Sequence, residues 1–249
     1  MRLPLRTVGV WLADIFPVVR KPARALYNRL PKYFHDTPEK LIASAFPQEI
    51  PFFFVSIGAN DGISGDPSAD LIKHNSLCEG IFVEPVSFLF ERLRRNYGSS
   101  ERFIFENVAI DEHNGARKFY YLNRSESNGE NKLPAWAEEI GSFDKSHILR
   151  HFPTLQDSEI LSADMECITL PTLLERNHVR CVDLLLIDVE GYEVTILNQI
   201  DFGVIKPKMI MFEHKHLSDA DFCTAKAMFL RNDYRLTQFG RDTIATLVT

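Results

Sequence analysis

The stretch FFFVSIGANDG occupies residues 52–62. From Phe52 to Ile57 it is apolar at almost every consecutive position. That is the pattern of a short strand covered on both faces, not of one with a wet face. The run stops at Gly58, and a second glycine, Gly62, follows after Ala59-Asn60-Asp61. A buried strand that ends in small and polar residues marks a ligand rim, because open α/β sheets bind ligands outside the carboxyl ends of their strands.

Working outward, strand and helix patterns alternate. Asp66-Pro67 predicts a helix start running to about His74. Gly80–Glu84 predicts a second strand. Ser87 opens a helix with Leu89, Leu93 and Tyr97 at fourfold spacing. Arg102–Val108 predicts a third strand, and Arg117–Leu122 an extra strand suited to a sheet edge. After an irregular stretch, Leu170–Asn177 reads as helix, Val182–Ile187 as a strand of almost solid aliphatics and Tyr192–Ile200 as helix. Pro207–Phe212 reads as strand and Asp219–Arg231 as helix. Tyr234–Phe239 and Thr243–Val248 read as a closing hairpin. The expected fold is α/β: a mostly parallel sheet with helices on both faces and an antiparallel element at the end. The domain is expected over residues 50–249, after a basic N-terminal helical segment at 1–49. Residues 123–163 break the rhythm and predict an insertion or lid, with a plain loop as the alternative.

The chain has 249 residues, 45% hydrophobic and 25% charged, so one sizeable core needs no staples. A net charge of −6 speaks against a nucleic-acid partner. Residues 1–35 run the other way, with seven basic side chains against Asp14. Their apolar stretch Val8–Phe16 is too short to span a membrane and lacks a signal-cleavage pattern. Either it packs on the domain or it lies on an anionic membrane surface. Cys78, Cys167, Cys181 and Cys223 form no CxxC pair, which points to reduced thiols and a cytoplasmic protein, membrane-peripheral if the basic segment binds lipid.

The strand ends supply the candidate site. Gly58, Gly62 and Gly65 do not spell GxGxxG. Asn60 stands where the dinucleotide fingerprint needs a glycine beside a pyrophosphate, so a ligand without one fits better. Glu84, at the end of the second strand and 22 residues beyond Gly62, is placed to accept two hydrogen bonds from a ribose diol. Asn107-Val108-Ala109 ends the third strand, and Asp188-Val189-Glu190-Gly191 and Glu213-His214 end the later two. These residues leave three readings open: a methyltransferase, a nicotinamide-dependent oxidoreductase, or a non-catalytic nucleoside-binding protein.

Taken together, Phe53–Gly62, Val83-Glu84-Pro85, Asn107–Ile110, Val182–Gly191 and Phe212-Glu213-His214 resemble the FkbM-type methyltransferases, over roughly residues 50–240. One position departs from that pattern, Ser56, where relatives often carry an aspartate. The resemblance implies a class I methyltransferase-like Rossmann fold, with seven mostly parallel strands and one antiparallel. It implies S-adenosylmethionine as cofactor and O-methylation of a sugar, glycan or natural-product-like acceptor. Carried over by position, Gly58, Ala59, Asn60, Asp61 and Gly62 pass under the methionine part. Glu84, with Pro85, holds the ribose. Asn107 and Ala109 lie near the adenine, and Asp188 stands at the methionine end or the acceptor. A hydroxyl acceptor needs a base or a metal. His214, Asp188, Glu190 and Glu213 are the candidates. His214 is the preferred base because imidazole titrates near neutrality; a divalent cation shared by Asp188, Glu190 and Glu213 is the alternative. His216, and His147 and His151 from the irregular segment, are further histidines within possible reach.

Overall fold

A computed structural model of the chain describes residues 37–98, 100–124 and 133–248. The basic segment at 1–35, with its proposed membrane contact, lies outside the described residues. Among the described residues no helix is long and apolar enough to cross a membrane.

The main sheet has seven strands. They are β1 (Phe52–Ile57), β2 (Cys78–Val83), β3 (Phe103–Glu106), β8 (Leu184–Ile187), β9 (Met209–Glu213), β10 (Tyr234–Phe239) and β11 (Asp242–Leu247). Their spatial order is β10-β11-β9-β8-β1-β2-β3. β1 pairs in parallel with β2 on one side and β8 on the other. Only β11 runs against its neighbours, because the hairpin returns it between β9 and β10. This is the expected Rossmann-like sheet. The chain order reverses direction across the sheet at β1, and that crevice is where such sheets hold ligands.

Both faces of the sheet are covered. One core packs Val55, Ile57, Ile81, Leu185, Ile187, Ile210 and Phe212 against helix α5 (Leu170–Arg176), α6 (Glu193–Leu197) and α7 (Asp219–Arg231). The opposite core gathers Phe52, Phe54, Phe82, Phe103 and Leu184 around helix α2 (Ala69–His74) and α3 (Ser87–Tyr97). Helix α1 (Pro38–Ala45) joins this second core through Ile42, and Phe46 just beyond it lies 4.7 Å from the Phe52 ring. The packed unit therefore reaches back to Pro38, upstream of the expected start at residue 50. Thr37 and Pro38 explain why α1 begins there: the threonine side chain accepts from Lys40 N–H, and proline suits the first helical position.

Two sequence-based expectations change. The helix expected from Asp66 begins at Ala69, because the Asp66 carboxylate instead accepts from the N–H and hydroxyl of Ser68 in a tight turn. The strand expected at a sheet edge, β5 (Gly115–Tyr121), lies in a separate four-stranded sheet of order β4-β7-β5-β6. Its partners are β4 (Ala109–Ile110), β6 (Gly141–Ser142) and the eight-residue β7 (Leu161–Ile168). β7 escaped the sequence reading because its outward positions, Ser162, Asp164 and Glu166, are polar and only its second half alternates with buried residues.

The segment between β5 and β7 is not a plain loop. Residues 133–160 hold a 3-10 turn (Ala135–Glu139), helix α4 (Lys145–His151) and, with Leu122 just after β5, a small core of Leu133, Ala137, Ile140, Ile148, Leu155 and Ile160. The second sheet seats this unit over the carboxyl ends of the main strands.

The opening turn follows from strand pairing. Ile57 is in register with Val83 on one side and Ile187 on the other. The chain after Ile57 is thus squeezed between the ends of β2 and β8. A Cβ on Gly58 would come within 1.8 Å of the Asp188 carbonyl oxygen, at a φ of +76°. Only glycine fits, on both counts. Gly58→Ala is expected to destabilise the fold by about 3 kcal/mol or more. Urea denaturation checks this, and an unchanged midpoint would show that the close approach is not needed.

Candidate functional site

The ends of β1, β2, β8 and β9, the β4 strand and the second sheet enclose one cleft. It is lined by Gly58, Ala59, Asn60, Glu84, Pro85, Ala109, Asp188, Glu190 and Glu213 of the expected residues, and also by Ser56. Aliphatic and aromatic side chains close it: Leu89, Val108, Ile110, Phe119 and Phe143.

The glycine loop is internally satisfied. Gly58 and Ala59 N–H both donate to Val83 O, and Asn60 N–H donates to Glu84 Oε2 at 2.8 Å. Gly62 N–H donates to Ala59 O. With these donors spent within the fold, the loop offers no cradle for a pyrophosphate, which disfavours the nicotinamide reading. Asn60 takes the left-handed conformation itself, with φ +51°.

Two expected loop contacts are corrected. Asp61 turns its carboxylate to Ile63 N–H and to the N–H and hydroxyl of Ser64, closing an Asx turn. Gly62 sits under α3, where Tyr97 Oη donates to its carbonyl at 2.7 Å. Neither lines the cleft. Asn107 is also displaced: its side-chain amide donates to the carbonyls of Glu84 and Pro85 and braces the end of β2 from outside.

Glu84 is 4% exposed. Each carboxylate oxygen takes one backbone N–H, from Asn60 and from Val86. Burial pushes its pKa up to about 7, against the pull of those two hydrogen bonds. Each oxygen keeps a lone pair for a further donor from the cleft.

Across the cleft stand three more carboxylates. Oxygens of Asp188, Glu190 and Glu213 lie within 4.8 Å of one another, as the cation alternative requires. The Asp188 side chain is open to the cleft, yet protein surrounds the cleft closely. Desolvation and the charges of Glu213 and Glu190 push its carboxyl above the ordinary range. Burial, then Glu190, raises Glu213 to about 7, against Arg241, whose Nε lies 3.5 Å from its Oε1. Glu193 shapes the loop that delivers Asp188 and Glu190. It is fully buried, and its Oε1 accepts from both Val189 and Gly191 N–H.

The preferred base is overturned by its orientation. His214 N–H donates to Arg241 O, its Nδ1 lies 3.0 Å from Thr243 Oγ1, and its ring packs 5.1 Å from Phe222. It points away from the cleft. His216, two residues on, faces inward, with Nε2 3.3 Å from Glu190 Oε2. On a strand, residues two apart would share a face, but β9 ends at Glu213 and the chain turns at once, Leu217 N–H donating to His214 O, so the two histidines are turned apart. His147, from α4, reaches the same Glu190 oxygen at 3.3 Å. Arg241 and Tyr192, also on the rim, carried no recognisable spacing signal.

The model of a family described as the methyltransferase FkbM domain matches residues 56–237. The chain belongs to the FkbM methyltransferase family. That match settles the choice among the three readings: the protein carries an S-adenosylmethionine-dependent methyltransferase domain. No curated protein matches the chain closely enough to count as a relative. Among solved structures it is similar to a fibrillarin pre-rRNA processing protein from Methanococcus jannaschii, at 11% identity and a TM-score of 0.44, over 85% of this chain and 76% of that one. Human methyltransferase-like protein 13, in complex with SAH, matches at 10% identity and a TM-score of 0.41, over 81% of this chain and 74% of that one. These likenesses are remote, and what those proteins modify says nothing about the acceptor here.

The cleft of this methyltransferase suits its cofactor by chemistry. The apolar walls at Leu89, Val108 and Ile110 would suit a flat base, the buried carboxylate at the β2 end would suit hydroxyls, and the acidic row would suit a sulfonium cation. Glu84 also links cleft and stability. Its carboxyl binds a proton more tightly folded than unfolded, so its contribution to stability is present at low pH. That contribution is lost as pH rises from about 4.5 towards 7. Glu84→Gln is expected to flatten the fall in unfolding free energy between pH 5 and 8, measured by urea denaturation at each pH. A slope identical to that of the wild-type chain would disprove the assignment.

Proposed function

We propose that the chain methylates a hydroxyl of a sugar, glycan or natural-product-like acceptor. The observation that carries this is a polar recess continuous with the cleft. The two share Ser142, Phe143, Glu190 and Tyr192, and the recess adds Arg117, Arg150, His147 and His216. A hydroxyl-rich acceptor would find donors in the guanidinium groups, an acceptor in Glu190, and flat apolar surface on Phe143 and Tyr192. The recess is itself braced: Arg117 bonds Asp111, stacks 4.3 Å over Phe143, and shares Asp111 with the Tyr192 hydroxyl.

In this reading Gly58-Ala59-Asn60 forms the floor under the methionine part of the cofactor, Glu84 takes the ribose hydroxyls, and Ala109 with its apolar neighbours takes the adenine. The cofactor supplies an activated methyl group on a positive sulfur, so the protein's work is alignment and proton removal. Holding donor and acceptor in line is worth roughly 7–11 kcal/mol of barrier at best. Asp188 lines the cleft beside Glu190, which belongs to both cleft and recess, and takes the acceptor's proton. Its raised affinity for protons suits it to that role better than an ordinary carboxylate.

Asp188→Asn should lower methyl transfer by about 100-fold or more while S-adenosylhomocysteine binding changes little. Labelled S-adenosylmethionine with a panel of sugars and glycans, read by mass spectrometry, measures turnover; calorimetry measures binding. Undiminished turnover would remove Asp188 as the base. Glu84→Ala should instead weaken S-adenosylhomocysteine about tenfold or more. Binding of NAD in place of S-adenosylhomocysteine would overturn the whole reading.

A further inference from the structure

Three histidines and a carboxylate meet at the outer edge of the recess, and the proposed methyl transfer uses none of the histidines as base. His147 and His151 lie four residues apart on one face of α4, His216 follows β9, and Glu190 follows β8. One ligating atom from each falls within 4.8 Å of all the others. The three imidazole rings form a near-equilateral triangle, with centroids 5.0, 5.0 and 5.2 Å apart. Gly191 packs beside them: a Cβ there would make ordinary contact with His216 Cβ at 3.4 Å and His147 Cε1 at 4.0 Å.

We propose that His147, His151, His216 and Glu190 bind one divalent transition-metal ion of the kind that imidazole favours, such as zinc. Three observations converge. First, His147 Nε2 and His216 Nε2 both stand 3.3 Å from Glu190 Oε2. Charge-assisted hydrogen bonds close to about 2.7–2.9 Å. A tetrahedral ion with bonds of about 2.0–2.1 Å separates its ligands by about 3.3 Å. Second, His147 and His151 stand at i and i+4 on one face of α4, the spacing at which two imidazoles from a single helix reach one ion. Third, Glu213 Oε2 is buried, makes no hydrogen bond, and lies 3.6 Å from His216 Nε2. Together with Glu190 it gives the pocket the negative charge a divalent cation requires. Mixed nitrogen and oxygen donors in this number select zinc or its neighbours over magnesium.

One group has to yield. Arg150 Nη2 lies 3.2 Å from His147 Nδ1, which places the imidazole proton on Nε2, towards Glu190. Metal at Nε2 moves that proton to Nδ1, so the guanidinium turns away, towards Ser146 and Asp144, which it already contacts. The ion would fasten α4, and with it the unit over the cleft, to the ends of β8 and β9. This inference does not rest on the identity of the acceptor or on cofactor binding, since it is tested without either.

The full chain, stripped with a chelator and desalted, is titrated with zinc chloride by calorimetry, and in parallel with cobalt(II) by absorption. One equivalent should bind at micromolar affinity or tighter, raise the melting temperature, and give visible ligand-field bands without a sulfur charge-transfer band. His151→Gln and His216→Gln should each weaken binding, and together by at least about 100-fold. Melting of the metal-free variants shows that they fold; should the double variant fail to, His151→Gln alone, on the surface of α4, carries the test. Arg150→Ala should tighten binding. No stoichiometric binding, binding unchanged in the histidine variants, or a sulfur charge-transfer band would each overturn the proposal.

Discussion

The working end of the molecule depends on a backbone passage that no side chain would permit. Gly58 passes against the Asp188 backbone oxygen because β1 lies in parallel register between β2 and β8. That one contact sets the positions of the rest. It brings the end of β1 level with Glu84 on one side and with the Asp188–Gly191 loop on the other. Glu84 then clasps Asn60 and Val86, and Glu193 clasps Val189 and Gly191. Two buried carboxylates thus hold two rim loops by their backbone N–H groups. Each is desolvated and pushed towards neutrality, a cost accepted at functional rims and rarely elsewhere.

The second layer of organisation is the four-stranded sheet between the third and fourth parallel strands of the main sheet. It turns a stretch that reads as irregular into a packed unit with its own small core. Its consequence is chemical. It carries Phe119, Ser142 and Phe143 to the cleft wall and α4 with two histidines to the cleft edge. In the proposed reading the main sheet builds the methyl-donor side and this unit most of the acceptor side, so variation in the unit would change what is recognised without disturbing the donor side.

Charge ties the two halves together. Asp188, Glu190 and Glu213 would repel one another in a dry cleft. Arg241 offsets Glu213, while His147 Nε2 and His216 Nε2 each stand 3.3 Å from Glu190 Oε2. Burial works against ionisation of Glu190, but the hydrogen bond from His147 and the nearness of His216 hold its carboxyl below the ordinary value. The histidine cluster therefore belongs to the electrostatics of the cleft, whatever else it binds.

The order of strands, the glycine turn and the acidic rim were legible in the chain itself. The nearly unbroken apolar runs at Phe52–Ile57 and Leu184–Ile187 read as strands buried on both faces, and strand ends are where such sheets place their ligands. Local composition carries that information, because burial period and turn chemistry are properties of a few neighbouring residues. Three things were decided only by tertiary structure. The polar outer face of β7 hid a strand whose existence depends on pairing with β5, over 40 residues away. The choice of His216 over His214 depended on how the chain leaves β9 under the hairpin turn at Arg241. The meeting of His147, His151, His216 and Glu190 joins three separate connections, and no spacing along the chain encodes it. Sequence fixes which faces are buried; only the packed fold decides which distant side chains share a point in space.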